Sequence, residues 1–257
     1  MTPSAWQIFG SEFLGTALMI TIAVMVCGSR ALPKTGAFKG DWINASLGWG
    51  LAVFVGVYAA WPTGGHLNPI VTLARVLRSC FDADTTLNGV ALAEGGIPIT
   101  AGNVLLYIIA QFIGAFVGAC VGFAAIRRHF DEPAEPDAKL TIFCTKPALK
   151  SPLWNTVSEI ICTCILVTWV FVNGGTPTQV GPLAVAFVIT VLVMGMGGVS
   201  GAAMNPARDF SPRLAHFLLP IKGKGDSDWS YAWVPFVGPL IGGALGVLIP
   251  TIFGLIP

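Results

Sequence analysis

Two Asn-Pro pairs, Asn68-Pro69 and Asn205-Pro206, stand out among the residues whose types and spacing could do chemistry. Each pair follows a run of small residues and precedes a short, mostly apolar segment. Asparagine is a favourable N-cap, and proline suits the first helical position because its missing N–H would be unpaired there. Each motif therefore predicts a short helix entered from extended backbone. A single Asn-Pro pair usually marks a surface turn, whereas two in corresponding places of two similar halves are far more informative.

The composition is that of a membrane protein. Of the 257 residues, 54% are hydrophobic and 11% are charged, compared with about 25% charged residues in soluble domains. The net charge of +1 gives no electrostatic support for binding nucleic acid. The six cysteines show no zinc spacing, and in apolar runs a thiol behaves as a small hydrophobic group. We expect no metal, no cofactor and no cleavable signal peptide.

Six apolar segments are predicted to cross the membrane, since the roughly 30 Å hydrocarbon core needs about 20 helical residues. The predicted spans are 6–27, 43–61, 103–126, 153–171, 180–197 and 233–255. The helices after the two motifs, 69–79 and 206–218, are too short to cross and are predicted to be re-entrant. A polar loop is predicted at 127–151 and a tight turn at 174–179. The prediction is one all-α membrane domain, 1–257, with six transmembrane helices and two re-entrant half-helices.

The two halves, about 1–128 and 151–257, repeat one another. Glu12 lies early in the first span and Glu159 early in the fourth. Small residues at every fourth position let helices approach closely, and spans three and six carry such ridges: Gly114, Gly118, Gly122, Gly238, Gly242 and Gly246. Because each half has three full spans, the second half enters from the opposite side and forms an inverted repeat. The two half-helices then meet near the middle of the membrane.

The backbone before each half-helix is predicted to line a pore. Non-helical backbone at membrane depth is tolerated only where it is packed in protein or faces a wet cavity. The carbonyl groups of 62–67 and 197–204 cannot all be bonded within their own segments, so we expect them to bond a passing polar solute. The pore-lining loop residues are Gly64, Gly65, His66, Leu67, Gly201, Ala203 and Met204.

Asn68 and Asn205 would each cap a positive helix end and donate a side-chain N–H to the solute. Opposed positive ends repel protons and cations and orient neutral hydroxyl groups. The alternative is two purely structural caps.

Glu12 and Glu159 are intramembrane acids, which often mark proton relays, but we interpret them as acceptors for the loop backbone. His66 is interpreted as a brace of the first loop, and no catalytic set is present, so we expect no enzyme activity.

These features resemble the aquaporin (major intrinsic protein) family over nearly the whole chain. The paired motifs, the two glutamates, Gly65-His66 before the first motif and Arg208 after the second all match. Asp209, which follows the arginine, resembles the glycerol-facilitator (aquaglyceroporin) branch, as do Arg213 and Pro235. The resemblance implies a passive channel for glycerol and similar small neutral polyols that also passes water and excludes protons and ions.

The same resemblance assigns a selectivity filter to four residues: Trp49, Val193, Ala202 and Arg208. Val193 supplies no hydrogen bond, so it cannot build the filter of a water-specific channel. Ala202 stands where the usual glycerol pattern has a second aromatic residue, which should widen that side while Val193 narrows the other. Arg208 is expected to offer donors opposite the apolar face of Trp49. A structural pair between Arg208 and Asp209 is the alternative.

The first motif continues with Ile70, where the family has alanine, and the second with Ala207. We expect Ile70 to reshape how the two half-helix tips meet. The solute range stays open: the channel could serve mainly urea, protonated lactic acid or water. An ion-coupled secondary transporter built from broken helices is the contrasting class, and it would need a coupling-ion site beside the solute. The resemblance also implies a homotetramer in the lipid bilayer of the cell (plasma) membrane.

The distribution of basic residues and the family resemblance imply opposite orientations of the protein in the membrane. The loops after spans one, three and five hold most of the basic residues: Arg30, Lys34, Lys39, Arg127, Arg128, Lys139, Lys146, Lys150, Lys222 and Lys224. The positive-inside rule would place this face in the cytoplasm. The resemblance implies the reverse, with both termini and the first half-helix on the cytoplasmic side and Arg208 toward the outside. We expect the family orientation, because the interlocking half-helices fix the fold.

Overall fold

The computed structural model describes residues 1–175 and 180–256, which contain helices and no strands. Nine α-helices lie in these ranges: α1 (Ala5–Ala31), α2 (Trp42–Ala59), α3 (Pro69–Arg78), α4 (Ala101–Ala125), α5 (Pro136–Phe143), α6 (Pro152–Val172), α7 (Pro182–Met196), α8 (Pro206–Leu218) and α9 (Val234–Ile252). Five segments are long and apolar enough to cross a membrane: α1, α2, α4, α6 and Trp229–Ile252, which includes α9. The predicted all-α membrane fold is confirmed.

The remaining predicted span is shorter than expected. We predicted 180–197, whereas α7 covers 15 residues, Pro182–Met196. The helix begins late because Gly181 has a φ of 57° and Pro182 occupies the first helical position. Of the tight turn predicted at 174–179, residues 176–179 lie outside the described part of the chain.

The prediction of a polar loop over 127–151 was wrong, because this segment contains α5. Pro136 lies at its first turn together with Asp137, and both residue types favour a helix start. Leu140 and Phe143 are buried, and α5 packs against α1 and α8. The apolar pattern is only one turn long and is surrounded by charged residues, so it carries little helical signal. The segment between the two halves therefore packs on both of them, through α1 and α8.

Both half-helices begin at their Asn-Pro motifs as predicted. The Asn68 side chain accepts a hydrogen bond from the Ile70 N–H at 2.9 Å. The Asn205 side chain accepts from the Ala207 and Arg208 N–H groups at 3.0 and 3.2 Å. Each proline follows its cap at the start of the helix. The local chemistry of the two motifs therefore explains where α3 and α8 start.

The glycine ridges bring two helices together in the same way within each half of the bundle. α1 packs along α4, and α6 packs along α9. A Cβ atom placed on Gly118 would lie 2.4 Å from the Ala17 carbonyl oxygen, and one on Gly242 would lie 2.3 Å from that of Ile160. The Thr21 hydroxyl group donates to the Gly118 carbonyl at 3.1 Å. Only glycine permits this approach of the backbones.

We expect Gly118→Ala to destabilise the protein by about 1–3 kcal/mol, the usual cost of overpacking a tight contact. Gly10→Ala is the matched control, because Gly10 lies in α1, the partner helix of this contact, and nothing lies within 4 Å of a Cβ atom on it. The thermal unfolding midpoint in detergent measures both variants. A midpoint for Gly118→Ala equal to that of Gly10→Ala would contradict the close packing of α1 and α4.

Candidate functional site

The two loops before α3 and α8 are joined to each other by the motif asparagines. The Asn68 Nδ2 atom donates to the Met204 carbonyl oxygen at 2.9 Å, and the Asn205 Nδ2 atom donates to the Leu67 carbonyl oxygen at 2.7 Å. Each asparagine therefore caps its own helix and links it to the opposite loop. An amide nitrogen carries two N–H donors, so one per asparagine is left for a solute in the cavity that both residues line.

The two loops repeat the same strained backbone. Gly65 and Ala202 have φ values of 60° and 47°, and Leu67 and Met204 both have 52°. A left-handed conformation costs about 1–2 kcal/mol for a residue with a Cβ atom. Such strain persists only where the surroundings determine it, and it clusters at functional sites. The conformation exposes loop backbone to the cavity, which is lined by all the predicted loop residues except Gly201.

The buried carboxylates hold the loops in this conformation. Glu12 accepts hydrogen bonds from the N–H groups of His66 and Leu67 at 3.0 and 2.9 Å. Glu159 accepts from the N–H groups of Ala203 and Met204, both at 3.0 Å. Both glutamates are fully buried and neither lines the cavity. Their position is that of loop supports, and it offers no proton path along the cavity.

Two further pairs of side chains support the loops. The sequence analysis did not identify them, although they repeat between the two halves. Thr63 donates to Glu12 at 2.7 Å, and Ser200 donates to Glu159 at 2.6 Å. The Tyr107 hydroxyl group donates to the Thr63 carbonyl, and the Tyr231 hydroxyl group donates to the Ser200 carbonyl, both at 2.9 Å. Spacing could have revealed them, because each hydroxyl residue lies five positions before its motif asparagine and each tyrosine seven before its first ridge glycine.

His66 has both ring nitrogens engaged. Nδ1 lies 2.9 Å from the Thr72 hydroxyl group, and Nε2 lies 2.8 Å from the Leu87 carbonyl oxygen. The ring also packs against Tyr107, with 4.8 Å between the ring centroids. These contacts tie the first loop to α3 and to the segment before α4. They leave the imidazole no free nitrogen for acid–base chemistry.

The predicted filter differs from expectation at its centre. The Arg208 guanidinium carbon lies 4.0 Å from the centroid of the Trp49 ring, so the two side chains are stacked and leave no room for a solute between them. A guanidinium group at this distance from the face of a tryptophan ring is attracted to it electrostatically. The buried Nη1 atom of Arg208 has no partner among the described residues. Arg208 lines the cavity, so its guanidinium group can donate to a polar solute there.

Asp209 does not pair with Arg208. Its carboxylate accepts from Arg213 Nε at 2.9 Å and Nη2 at 3.0 Å, and from the Thr145 N–H at 2.7 Å. Asp209 is 1% exposed and Arg213 is fully buried, and neither lines the cavity. The alternative of an Arg208–Asp209 pair is therefore excluded, and Asp209 instead anchors α8 to the segment after α5.

Ile70 is directed away from the cavity, contrary to the expectation that it reshapes the meeting of the two tips. It packs with Val167 and Val247 in a separate apolar cluster. A Cβ atom on Gly243 would lie 2.3 Å from Ile70 Cγ2, so this glycine in α9 makes room for the larger side chain. Pro69, Pro206 and Ala207 likewise do not line the cavity.

A cavity of about 350 Å³ runs through the site. Its lining includes Trp61, Trp49, the two asparagines and two arginines, Arg75 and Arg208. Arg75 lies seven residues after Asn68 on α3 and Arg208 three residues after Asn205 on the opposed α8, which places the two arginines on opposite sides of the asparagines. One set of lining residues is apolar: Met19, Val53, Val57, Val185, Ile189 and Val193. The other consists of loop backbone, the asparagine amides, Arg75 and Arg208. The cavity is therefore amphipathic along its length, with hydrogen-bonding groups beside an apolar wall.

Comparison with known proteins gives consistent matches. The family pattern described as Major intrinsic protein matches residues 1–250. A probable glycerol uptake facilitator protein of Thermotoga maritima is 42% identical over 243 residues, which cover 93% of this chain and 96% of that protein. A glycerol uptake facilitator protein of Streptococcus pneumoniae is 40% identical over 250 residues, which cover 96% and 99%.

A similar solved structure supports the fold. The aquaglyceroporin from Plasmodium falciparum superposes with a TM-score of 0.74 at 24% identity and covers 96% of each chain. At this identity the likeness concerns the fold alone. It shows that the bundle of long helices and two half-helices is an aquaporin-like arrangement.

Proposed function

Because the chain belongs to the major intrinsic protein family, we propose that it is a passive transmembrane channel for glycerol and similar small neutral polyols, which also passes water. The amphipathic cavity carries the proposal. A polyol has hydroxyl groups along one edge and C–H groups along the other, which match the loop backbone and the apolar wall. Relatives of about 40% identity are named glycerol uptake facilitators, and this supports the same solute here.

Exclusion of protons and cations follows from the two helix starts at the centre. α3 and α8 direct their N-terminal ends toward each other, as the reciprocal asparagine bonds require. Each end carries about half a positive charge, so a cation at mid-cavity is repelled from both sides. Neutral hydroxyl groups instead accept from the asparagine N–H donors and from Arg208.

Glycerol uptake into proteoliposomes tests the channel against the transporter. A channel gives uptake that rises linearly with glycerol concentration and is unaffected by ionophores. Saturable uptake that ionophores abolish would contradict the proposal and favour an ion-coupled transporter. The described residues offer that class little support, because both deep carboxylates are already bonded to the loops.

The filter assignment makes a sharper prediction at Val193, which lines the cavity and is 5% exposed. Val193→His is expected to lower glycerol flux at least about tenfold and to retain water flux, because it narrows the filter and adds a hydrogen-bonding group. Val193→Ile is the control for added bulk alone. Stopped-flow light scattering measures both fluxes, and unchanged glycerol flux in Val193→His would remove Val193 from the filter.

We propose the family orientation, with Arg208 toward the outside, in the cell membrane. Many basic residues of that face are engaged within the protein. Lys139 donates to two backbone carbonyl groups, and Lys224 caps the last turn of α8. The hydrogen bond from Arg127 holds the pKa of the Asp131 carboxyl group below its ordinary value, so that pair is neutral overall. The positive-inside rule counts lysines and arginines whether or not they are paired, so the proposed orientation rests on the interlocking half-helices of the family fold and not on these contacts. A homotetramer is proposed on family membership alone.

A further inference from the structure

The end of the cavity opposite Arg208 contains a second guanidinium group, that of Arg75. Arg75 lies in the last turn of α3, about 10 Å along the helix axis from Asn68 at 1.5 Å per residue. Arg78 lies in the same turn, but it faces Asp82 at 3.7 Å and does not line the cavity. A basic residue in the last turn complements the helix dipole, and Arg78 already fulfils that role. Arg75 is the one of the two that is directed to the solute path.

The Arg75 guanidinium is held in place without an acidic partner. Its carbon lies 5.1 Å from the centroid of the Phe171 ring, and a Cβ atom on Gly89 would lie 3.3 Å from its Nη2 atom. The group is thus fixed between an aromatic ring and backbone. The buried Nε atom has no hydrogen-bond partner, and no ion pair involves Arg75 among the described residues.

The neighbouring polar groups do not compensate the charge. Both ring nitrogens of His66 are occupied, and the Tyr107 hydroxyl group donates to the Thr63 carbonyl. A planar, fixed guanidinium with unused donors matches a carboxylate or a phosphate, which it can bind through two parallel hydrogen bonds. Gly64 and Gly65, whose backbone lines the same end of the cavity, can meet the hydroxyl groups of such a ligand.

We propose that Arg75 forms a binding site for the charged group of a small hydroxylated oxyanion at this mouth, and that the bound anion blocks glycerol. The proposal rests on the proposed channel function for its effect on flux. The anion enters because Arg75 attracts it. It does not cross readily, because leaving Arg75 for the apolar wall beyond the mouth requires desolvating an ion, which is costly. An anionic analogue of the permeant solute therefore acts as an inhibitor of its passage.

The flux test uses glycerol 3-phosphate and lactate at pH 7.5, present on both sides of proteoliposomes, to distinguish a phosphate ligand from a carboxylate ligand. Sulfate tests whether hydroxyl groups are needed. Each variant is compared with its own glycerol flux without anion. We expect at least one hydroxylated anion to lower wild-type flux about threefold or more when its concentration exceeds Kd severalfold, and Arg75→Leu to lose the inhibition. Arg75→Lys keeps a point charge and should retain part of it.

Arg78→Leu is the matched control, because it removes a charge from the same helical turn outside the cavity, and it should be inhibited like the wild type. Saturation-transfer NMR in detergent measures binding of the same two anions without any need for conduction. We expect Arg75→Leu to weaken binding at least about tenfold, the equivalent of one charge-assisted hydrogen bond. Equal binding in the wild type and Arg75→Leu, or none in the wild type, would overturn the site. Absent glycerol flux without anion would instead refute the channel function.

Discussion

Glu159→Ala is expected to abolish most glycerol flux and to lower the unfolding midpoint by about 10 °C, since about 2–4 °C corresponds to 1 kcal/mol for a chain of this size. The substitution leaves three buried donors without an acceptor: the Ser200 hydroxyl group and the N–H groups of Ala203 and Met204. Each unsatisfied buried donor costs about 1–3 kcal/mol. Without their acceptor, the strained residues of the second loop cannot keep their carbonyl groups at the cavity.

Glu159→Gln separates hydrogen bonding from bulk, because its amide nitrogen replaces one acceptor with a donor that faces another donor. We expect an intermediate loss in both flux and midpoint. Glu94→Ala, at an exposed position, is the control for removing an acid from the surface. Thermal unfolding in detergent and glycerol flux per folded protein measure the series. Wild-type flux in Glu159→Ala would refute the assignment of this carboxylate as the support of the second loop.

Asp209→Ala is expected to cost about 3–5 kcal/mol, the usual penalty for leaving a buried charge without its partner. Arg213 is fully buried and makes both of its ion-pair contacts with Asp209. The Thr145 N–H and hydroxyl groups lose the same acceptor. Because Asp209 does not line the cavity, the ratio of glycerol to water flux in the protein that does fold should stay at the wild-type value.

Asp137→Ala is the matched control, since Asp137 forms an ion pair with Lys146 at the surface and exposed pairs contribute about 0–1 kcal/mol. The two unfolding midpoints and the flux ratio are the measurements. A changed glycerol-to-water ratio in Asp209→Ala would mean that Asp209 selects the solute directly, and the structural role assigned to it would be wrong.

Much of the fold could be predicted from the sequence, where local chemistry and regular spacing determine it. The Asn-Pro motifs predict where α3 and α8 begin, because capping depends on residues within one turn. The glycine ridges predict close helix contacts along spans three and six, because backbone approach requires small residues at a helical repeat; the structure shows that the partners are α1 and α6. The helix α5 was not predicted, since its single apolar turn acquires meaning only when α1 and α8 cover it.

Less of the candidate site could be predicted from the sequence, because its details depend on distances between segments that are far apart along the chain. The position of Ile70 depends on Gly243 making room for it in α9. The stacking of Arg208 on Trp49 joins the first turn of α8 to the middle of α2. By contrast, the pair between Asp209 and Arg213 has the i, i+4 spacing of a helical ion pair, and that signal was present in the sequence.

The most direct test of the central claim is stopped-flow light scattering on proteoliposomes that contain the purified protein, with water, glycerol, urea and lactic acid near pH 4 compared side by side. The amphipathic cavity predicts fast re-swelling in glycerol that ionophores do not change, with water passing too. Fast water flux without glycerol flux would contradict the account, because Val193 and the stacked Arg208–Trp49 pair would then close the cavity to everything larger than water.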